Sequence, residues 1–199
     1  FYESYIRSKK KLLPYVTCKL ALSKDFYTIN KSKKWITNKY SRGRVHLIRS
    51  SHDCIITSSN TVNADNPRLT CRIDGLFHTT PSRIIIDKNL KIKIKSKLIK
   101  EAINHNTIIF YNKNSLKKIN LLKKFNIKLI KVPLDETRNI DLKVSLIIAK
   151  QLGFSRILLE CGAKLAKSFL NRKLVNDLKI FISNEKIGKS GDCNFKNDL

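Results

Sequence analysis

Arg83-Ile84-Ile85-Ile86-Asp87 carries three apolar residues in succession, with no polar alternation between them. A strand with one wet face alternates, so an unbroken apolar run reads as a strand covered on both faces, the habit of a mainly parallel sheet. Ile157-Leu158-Leu159 repeats the pattern, and Cys54-Ile55-Ile56 reads as another buried strand. Working outward, the spacing predicts strands over Tyr15–Leu22, Asp53–Thr57, Arg83–Asp87, Thr107–Tyr111, Ile127–Val132, Arg156–Glu160 and Leu178–Ser183. Segments with helical period fall between them, at Asn38–Ser51, Ser115–Phe125, Asp141–Leu152 and Ala163–Arg172. Strand–helix–strand alternation implies right-handed crossovers and an α/β layered fold with helices on both faces of the sheet.

The helix signals are chemically sensible. Thr37 is placed to cap the first helix, with Val45 and Ile48 on its buried face. Asp141 caps the third, whose Val144, Ile147, Ile148 and Leu152 form an apolar stripe, and Gly153 ends it. Leu165 and Phe169, four apart, pack the last helix on the sheet. These stripes are core rather than cofactor boxes.

A chain of 199 residues with 42% apolar content is globular and long enough for one domain with a sizeable core. No run approaches the roughly 18 apolar residues of a membrane helix, and no signal peptide opens the chain, so a cytoplasmic address is expected. The five cysteines are widely and irregularly spaced, without C-x-x-C, which argues against a zinc site or a disulfide framework. The formal charge of +26 invites a nucleic-acid reading. Most of the cations, however, are lysines scattered among Ile and Asn, the mark of A/T-rich codons, and no arginine stripe interleaved with aromatics occurs. Lys9-Lys10-Lys11 and Lys91, Lys93, Lys95 and Lys97 read as solvated faces. The chain opens on Phe1 and its last residues bring no clear closing element, so it is expected to be a fragment, with residues 1–13 a basic linker and residues 14–199 one domain.

Four features carry chemistry. Thr61-Val62-Asn63-Ala64-Asp65-Asn66-Pro67-Arg68-Leu69-Thr70-Cys71-Arg72 packs a Thr, an Asp, an Asn-Pro turn and two arginines behind a buried strand. Strand ends are where α/β sheets build sites, and Pro67 biases Asn66 away from helix. An ordinary polar loop and a ligand site account for the block equally well. Glu160-Cys161-Gly162-Ala163-Lys164-Leu165-Ala166 ends a strand on a carboxylate and opens a helix with glycine. The free N–H groups of such a helix suit a phosphate, and Gly162 admits close approach, though a routine βα turn fits the same residues. Trp35 stands either in the core or against a flat ligand ring. Lys19 lies inside an apolar strand, where a cation needs a partner or ligand anion unless the strand is an edge.

Taken together, Lys19, Trp35, Arg49, Thr61, Asp65, Leu69, Arg72, Glu160 and Gly162 resemble the reductase half of the bacterial bifunctional riboflavin-biosynthesis deaminase/reductase. The similarity is collinear, from Leu13-Pro14-Tyr15-Val16-Thr17-Cys18-Lys19-Leu20-Ala21 through Lys34-Trp35-Ile36-Thr37, the Thr61–Arg72 block, Arg83–Asp87 and Glu160-Cys161-Gly162 to Leu174-Val175-Asn176-Asp177-Leu178. The resemblance implies a dihydrofolate-reductase-like α/β fold and NADPH-dependent reduction of 5-amino-6-(5-phosphoribosylamino)uracil to its ribitylamino counterpart. It implies NADPH contacts from Ala21, Trp35, Thr61, Asp65 and the stretch Gly162, Ala163, Lys164, Leu165, Ala166, Lys167 and Ser168. Arg49, Leu69, Arg72 and Glu160 would meet the phosphorylated substrate, with Lys19 close by; guanidinium groups suit a phosphate through paired hydrogen bonds. Lys19, Asp65 and Glu160 are candidate proton donors, with water a further source. A homodimer is also implied.

Departures from the family pattern add two expectations. Lys33 stands where relatives carry a substrate-touching Ser, and is expected to join the substrate phosphate. Lys88 stands where relatives often carry Ser, and is expected to pair with the 2′-phosphate of NADPH. Asp25-Phe26 replaces the usual Asp-Gly turn, and Leu199 stops short of further strand found in relatives, which would leave a sheet edge open. The H-x-E and P-C-x-x-C of the zinc deaminase half are absent, while Phe1-Tyr2-Glu3 and Arg7 resemble the joint that follows it, so a covalently linked deaminase domain is expected upstream. Two other readings are a basic nucleic-acid module and a reductase of the same fold acting on another pyrimidine or pterin.

Overall fold

The computed structural model describes residues 13–32, 36–113 and 115–197, together with Tyr2 and Ile6. Lys33 and Trp35, and the lysines at 9–11, lie outside the described residues. Seven parallel strands form the central sheet: β1 (Tyr15–Leu22), β3 (Cys54–Ser58), β4 (Ser82–Ile86), β5 (Thr107–Tyr111), β6 (Lys128–Lys131), β7 (Arg156–Leu159) and β8 (Asp177–Ile182), in the order β6-β5-β4-β3-β7-β1-β8. Each predicted strand is present with its ends within one residue. An antiparallel pair, β2 (Tyr27–Asn30) with β9 (Gly191–Asn194), stands apart from this sheet.

Six helices accompany the sheet among the described residues: α1 (Lys39–Ser50), α2 (Ser59–Asp65), α3 (Lys97–Lys100), α4 (Leu116–Lys123), α5 (Leu142–Gln151) and α6 (Ala163–Asn171). Alternate strand residues divide the core in two. Cys54, Ile56, Ile84, Ile108, Ile157 and Leu159 pack with Leu146 of α5 and Phe169 of α6. Ile55, Ile85, Ile109 and Leu158 pack on the other face with Val62, Leu98, Ile99, Ile119 and Leu122 of α2, α3 and α4, and Ile48 of α1 joins them. Each aliphatic side chain so buried contributes about 1.5–3 kcal/mol. The unbroken apolar runs follow directly: both faces of β3, β4 and β7 are covered. Lys91, Lys93, Lys95 and Lys97 are exposed around buried Ile92, as expected of a solvated face.

Several expectations need correcting. Asn38, not Thr37, caps α1: its side chain accepts from Ser41 N at 2.9 Å. Thr61–Asp65 is not loop but the body of α2, capped by Ser58, and the chain leaves it through Asn66 in the left-handed region (φ 45°). Near the last described residues β9 pairs with β2, and Phe195 behind it is fully buried. Lys19 is not on an edge, because β1 lies between β7 and β8. The edge on that side of the sheet is β8, where Ile180 and Ile182 are 37% and 56% exposed.

Asp25 shows how the Asp-Phe turn is tolerated. Phe26 takes φ 66°, a conformation costing an ordinary residue about 1–2 kcal/mol. The Asp25 carboxylate accepts from Ser23 Oγ, Ile187 N and Gly188 N, and these bonds hold its pKa down to about 2. The turn is fixed by its neighbours, so glycine is not required.

Candidate active site

The strand order places a switch point between β3 and β7. The chain runs from β3 outward through β4, β5 and β6, whereas β7 leads across β1 to β8. Loops leaving the carboxyl ends of β3 and β7 diverge there, which opens the crevice where α/β sheets seat ligands. Thr61, in the first turn of α2, and Gly162, at the head of α6, meet there: Gly162 N donates to Thr61 Oγ1 at 2.9 Å. Thr61 Oγ1 also lies 3.0 Å from Ser58 Oγ. Gly162 is exposed and caps α6, whose first turn carries no side-chain cap bond. A Cβ at Gly162 would stand 3.3 Å from Thr61 Oγ1, so glycine keeps this helix N-terminus open to a large anion. The residues therefore fit a cofactor pyrophosphate.

Beside this lies a charged row. Glu160 N donates to Ile56 O, so the ladder continues one residue past the Leu159 pairings. Thr57, Glu160 and Lys19 then stand side by side on the face that carries α1. Arg49 of α1 closes over Glu160, with Nε to Oε2 at 2.9 Å and Nη2 to Oε1 at 2.6 Å. Burial alone would push the Glu160 carboxyl up; Arg49, aided by Lys19, holds it below the ordinary carboxylate range. Lys19 is half-buried, its amine 5.9 Å from the centre of the Phe181 ring. The Thr57 hydroxyl is buried without a hydrogen-bond partner among the described residues.

The polar block after α2 supplies the third wall. Arg49 Nη1 donates to Thr70 O at 3.0 Å, tying that loop to the ion pair. Leu69 is buried with φ 56°, so it holds the loop by its side chain, while Arg72 is exposed. Arg83, fully buried on β4, donates to Thr107 Oγ1 at 2.8 Å and to the carbonyls of Arg68 and His105 at 3.2 and 3.1 Å. It is a guanidinium used as a staple for the loop. Asp65 sits exposed at the carboxyl end of α2, where the helix dipole disfavours an anion.

The remaining site candidates are placed as follows. Ala21, half-buried on β1, shares the face of Lys19. Ala163 and Ala166 are core, Leu165 packs against it, and Lys164 is exposed. Lys167 turns to β9, where its amine donates to Asn194 O and lies 4.9 Å from the Phe195 ring centre. Ser168 Oγ donates to Lys164 O one turn back. Lys88 follows β4 on the same carboxyl edge of the sheet, and its amine donates to Arg138 O at 2.7 Å. Sequence reading missed His46, which contacts Thr70 O and Arg72. Its position three before Arg49 on a predicted helix was the available signal.

The model of the RibD C-terminal domain matches residues 14–196. The chain belongs to the RibD C-terminal domain family. Riboflavin biosynthesis protein RibD of Actinobacillus pleuropneumoniae is 29% identical over 186 residues, covering 92% of this chain and 48% of that protein. This RibD C-terminal domain chain thus spans about half the length of the curated relatives it matches. The structure of Acinetobacter baumannii RibD shares the fold with TM-score 0.83 and 23% identity, over 99% of this chain and 53% of that one. Riboflavin biosynthesis reductase Rib7 of Saccharomyces cerevisiae gives TM-score 0.75 and 26% identity, over 92% and 78%. Dihydrofolate reductase of Enterococcus faecalis, with NADP(H), gives TM-score 0.51 at 10% identity, over 92% and 77%. The expected dihydrofolate-reductase-like α/β fold is borne out. Among the described residues no helix is long and apolar enough to cross a membrane.

Proposed function

We propose that this RibD C-terminal domain reduces 5-amino-6-(5-phosphoribosylamino)uracil to 5-amino-6-(5-phosphoribitylamino)uracil with NADPH. One observation carries the reading: the Thr61–Gly162 contact at the mouth of α6 opens beside the Arg49–Glu160 pair, so a pyrophosphate cradle adjoins a charged pocket. NADPH, when bound, supplies a hydride to the sugar carbon. The chain contributes binding and orientation, which is most of what hydride transfer asks of a protein.

In this reading Thr61, Asp65, Ala21, Trp35 and the Gly162–Ser168 stretch hold NADPH, and the uncapped N–H groups of α6 face its phosphates. Lys88 takes the 2′-phosphate. Arg49, Arg72, Leu69 and Lys33 shape the pocket for the substrate and its phosphate. Glu160, held ionised by Arg49, accepts hydrogen bonds from the substrate rather than giving a proton. Lys19, next to Glu160 in the row, is the better placed of the proton-donor candidates. A homodimer, a linked deaminase domain and a cytoplasmic setting belong to the same reading.

The test is turnover. The purified chain, given NADPH and the phosphoribosylamino substrate, is expected to oxidise NADPH and yield the ribitylamino product. Ligand affinity that collapses as salt rises, with no turnover, would instead favour the basic nucleic-acid module that the charge of +26 suggests.

A further inference from the structure

His46 is held at both ring nitrogens. Nδ1 lies 3.0 Å from Thr70 O and 3.2 Å from the Arg72 backbone nitrogen, and Nε2 lies 3.3 Å from Arg72 Nη2. A guanidinium nitrogen can only donate, so Nε2 must offer its lone pair to Arg72. The Arg72 backbone N–H is also aimed at Nδ1, so no tautomer meets all three contacts; a ring protonated at Nδ1 satisfies two of them, Thr70 O and Arg72 Nη2, and one protonated at Nε2 satisfies only the Arg72 N–H. Burial first, then the charges of Arg49 and Arg72, keep the imidazole pKa below its ordinary value, against the smaller pull of Thr70 O and Glu160. The groups facing the ring are therefore Arg49 on its own helix, Arg72 from the loop after α2, and Glu160 from β7.

Thr70 O also accepts from Arg49 Nη1. One carbonyl thus anchors two side chains of α1, and each goes on to a different charge: Arg49 to Glu160, His46 to Arg72. Arg72 is exposed and long, so without a second contact its guanidinium would sample many rotamers.

We propose that neutral His46 is a positioning residue that aims the Arg72 guanidinium at the phosphate of the substrate. The proposal rests on the reading of Arg72 as a substrate-phosphate contact. It explains why an imidazole, which can donate at one end and accept at the other, bridges a carbonyl and a cation.

Two substitutions separate the two arms of the ring. His46→Asn keeps a donor where Nδ1 stands but has no acceptor at the Nε2 position. His46→Gln puts an acceptor near the Nε2 position and gives up the Nδ1 donor. In the full chain, KM and kcat are measured for the phosphorylated substrate and for its dephosphorylated counterpart. His46→Asn is expected to raise KM for the phosphorylated substrate about tenfold, the factor that 1.4 kcal/mol of lost orientation represents, with kcat and the dephosphorylated substrate little changed. His46→Gln should stay near wild type, and combining His46→Asn with Arg72→Ala should be no worse than Arg72→Ala alone.

If Arg72→Ala separates the two substrates but His46→Asn does not, Arg72 contacts the phosphate unaided and the positioning role is overturned. If Arg72→Ala itself leaves that discrimination intact, the underlying substrate reading falls, and the role of His46 with it. A purely structural His46 would show the reverse order, with His46→Gln impaired and His46→Asn close to wild type.

Discussion

Arg49 and Glu160, 111 residues apart in the chain, meet in a two-point ion pair at 2.9 and 2.6 Å, with side chains only 10% and 16% exposed. A pair this buried does not stand on its Coulomb attraction alone; its removal is costly because the surviving charge is left dry. The pair joins α1 to the end of β7.

Arg49→Met is expected to lower stability by about 3 kcal/mol at neutral pH, because Glu160 stays buried without its cation. The pH dependence has a definite sign. Glu160 titrates below its ordinary value in the folded chain, so its contribution is present above pH ~4.3 and is lost as the pH falls through the lower folded value. Without Arg49, burial pushes the carboxyl up and that contribution reverses. Urea unfolding from neutral to acid pH should show the deficit of Arg49→Met shrinking as acid neutralises Glu160; a deficit independent of pH would refute this.

Arg83→Met keeps the approximate bulk of a side chain with no exposure but takes the donor from the Arg68 carbonyl, while His105 O keeps its bond from Thr107 Oγ1. A loss of about 2 kcal/mol is expected from that orphaned acceptor. Because Arg68 O belongs to the loop that carries Leu69 and Arg72, substrate KM should rise as well. Unfolding by urea and steady-state kinetics check the two parts; an unchanged KM would mean the loop holds itself.

Thr61→Val removes the acceptor for Gly162 N, and Gly162→Ala places a methyl 3.3 Å from Thr61 Oγ1 at the mouth of α6. Each is expected to weaken NADPH about tenfold, on the scale of one hydrogen bond, with little change in the unliganded melting temperature. Equilibrium binding measures it. Undiminished affinity in both variants would remove the cofactor from this end of α6.

Lys88→Ala is expected to narrow the preference for NADPH over NADH about tenfold if, as proposed, its amine leaves Arg138 O for a charge-assisted contact to the 2′-phosphate. The ratio of kcat/KM for the two cofactors reports it, and an unchanged ratio ends the assignment. The companion change, Lys33→Ser, should raise substrate KM and leave that ratio alone.

Much of the sheet was legible because its central strands carry unbroken apolar runs, Ile84-Ile85-Ile86 and Ile157-Leu158-Leu159. α2 was not: Ser59-Asn60-Thr61-Val62-Asn63-Ala64-Asp65 offers few strong helix formers, and its buried residues are only Ser59 and Val62, so the pattern looks like loop. β9 was hidden for another reason. Gly191-Asp192-Cys193-Asn194 has no strand propensity, and its partner Tyr27 lies more than 160 residues earlier in the chain. The site residues could be named from their collinear order, yet their convergence could not. It depends on β7 entering the sheet between β3 and β1, out of sequence order, which no local pattern encodes. His46 shows the same gap: its helical spacing from Arg49 was visible, whereas Thr70 O and Arg72 become neighbours only in the folded chain.

The most direct measurement is thermal unfolding of the chain with and without NADPH at moderate salt, where a specific ligand stabilises the folded state by mass action. A saturable rise in melting temperature with NADPH, reduced in Thr61→Val and not reproduced by a nucleic-acid polyanion, is the expected result. No rise, or one that any polyanion matches and added salt abolishes, would contradict a dinucleotide site at the junction of β3 and β7.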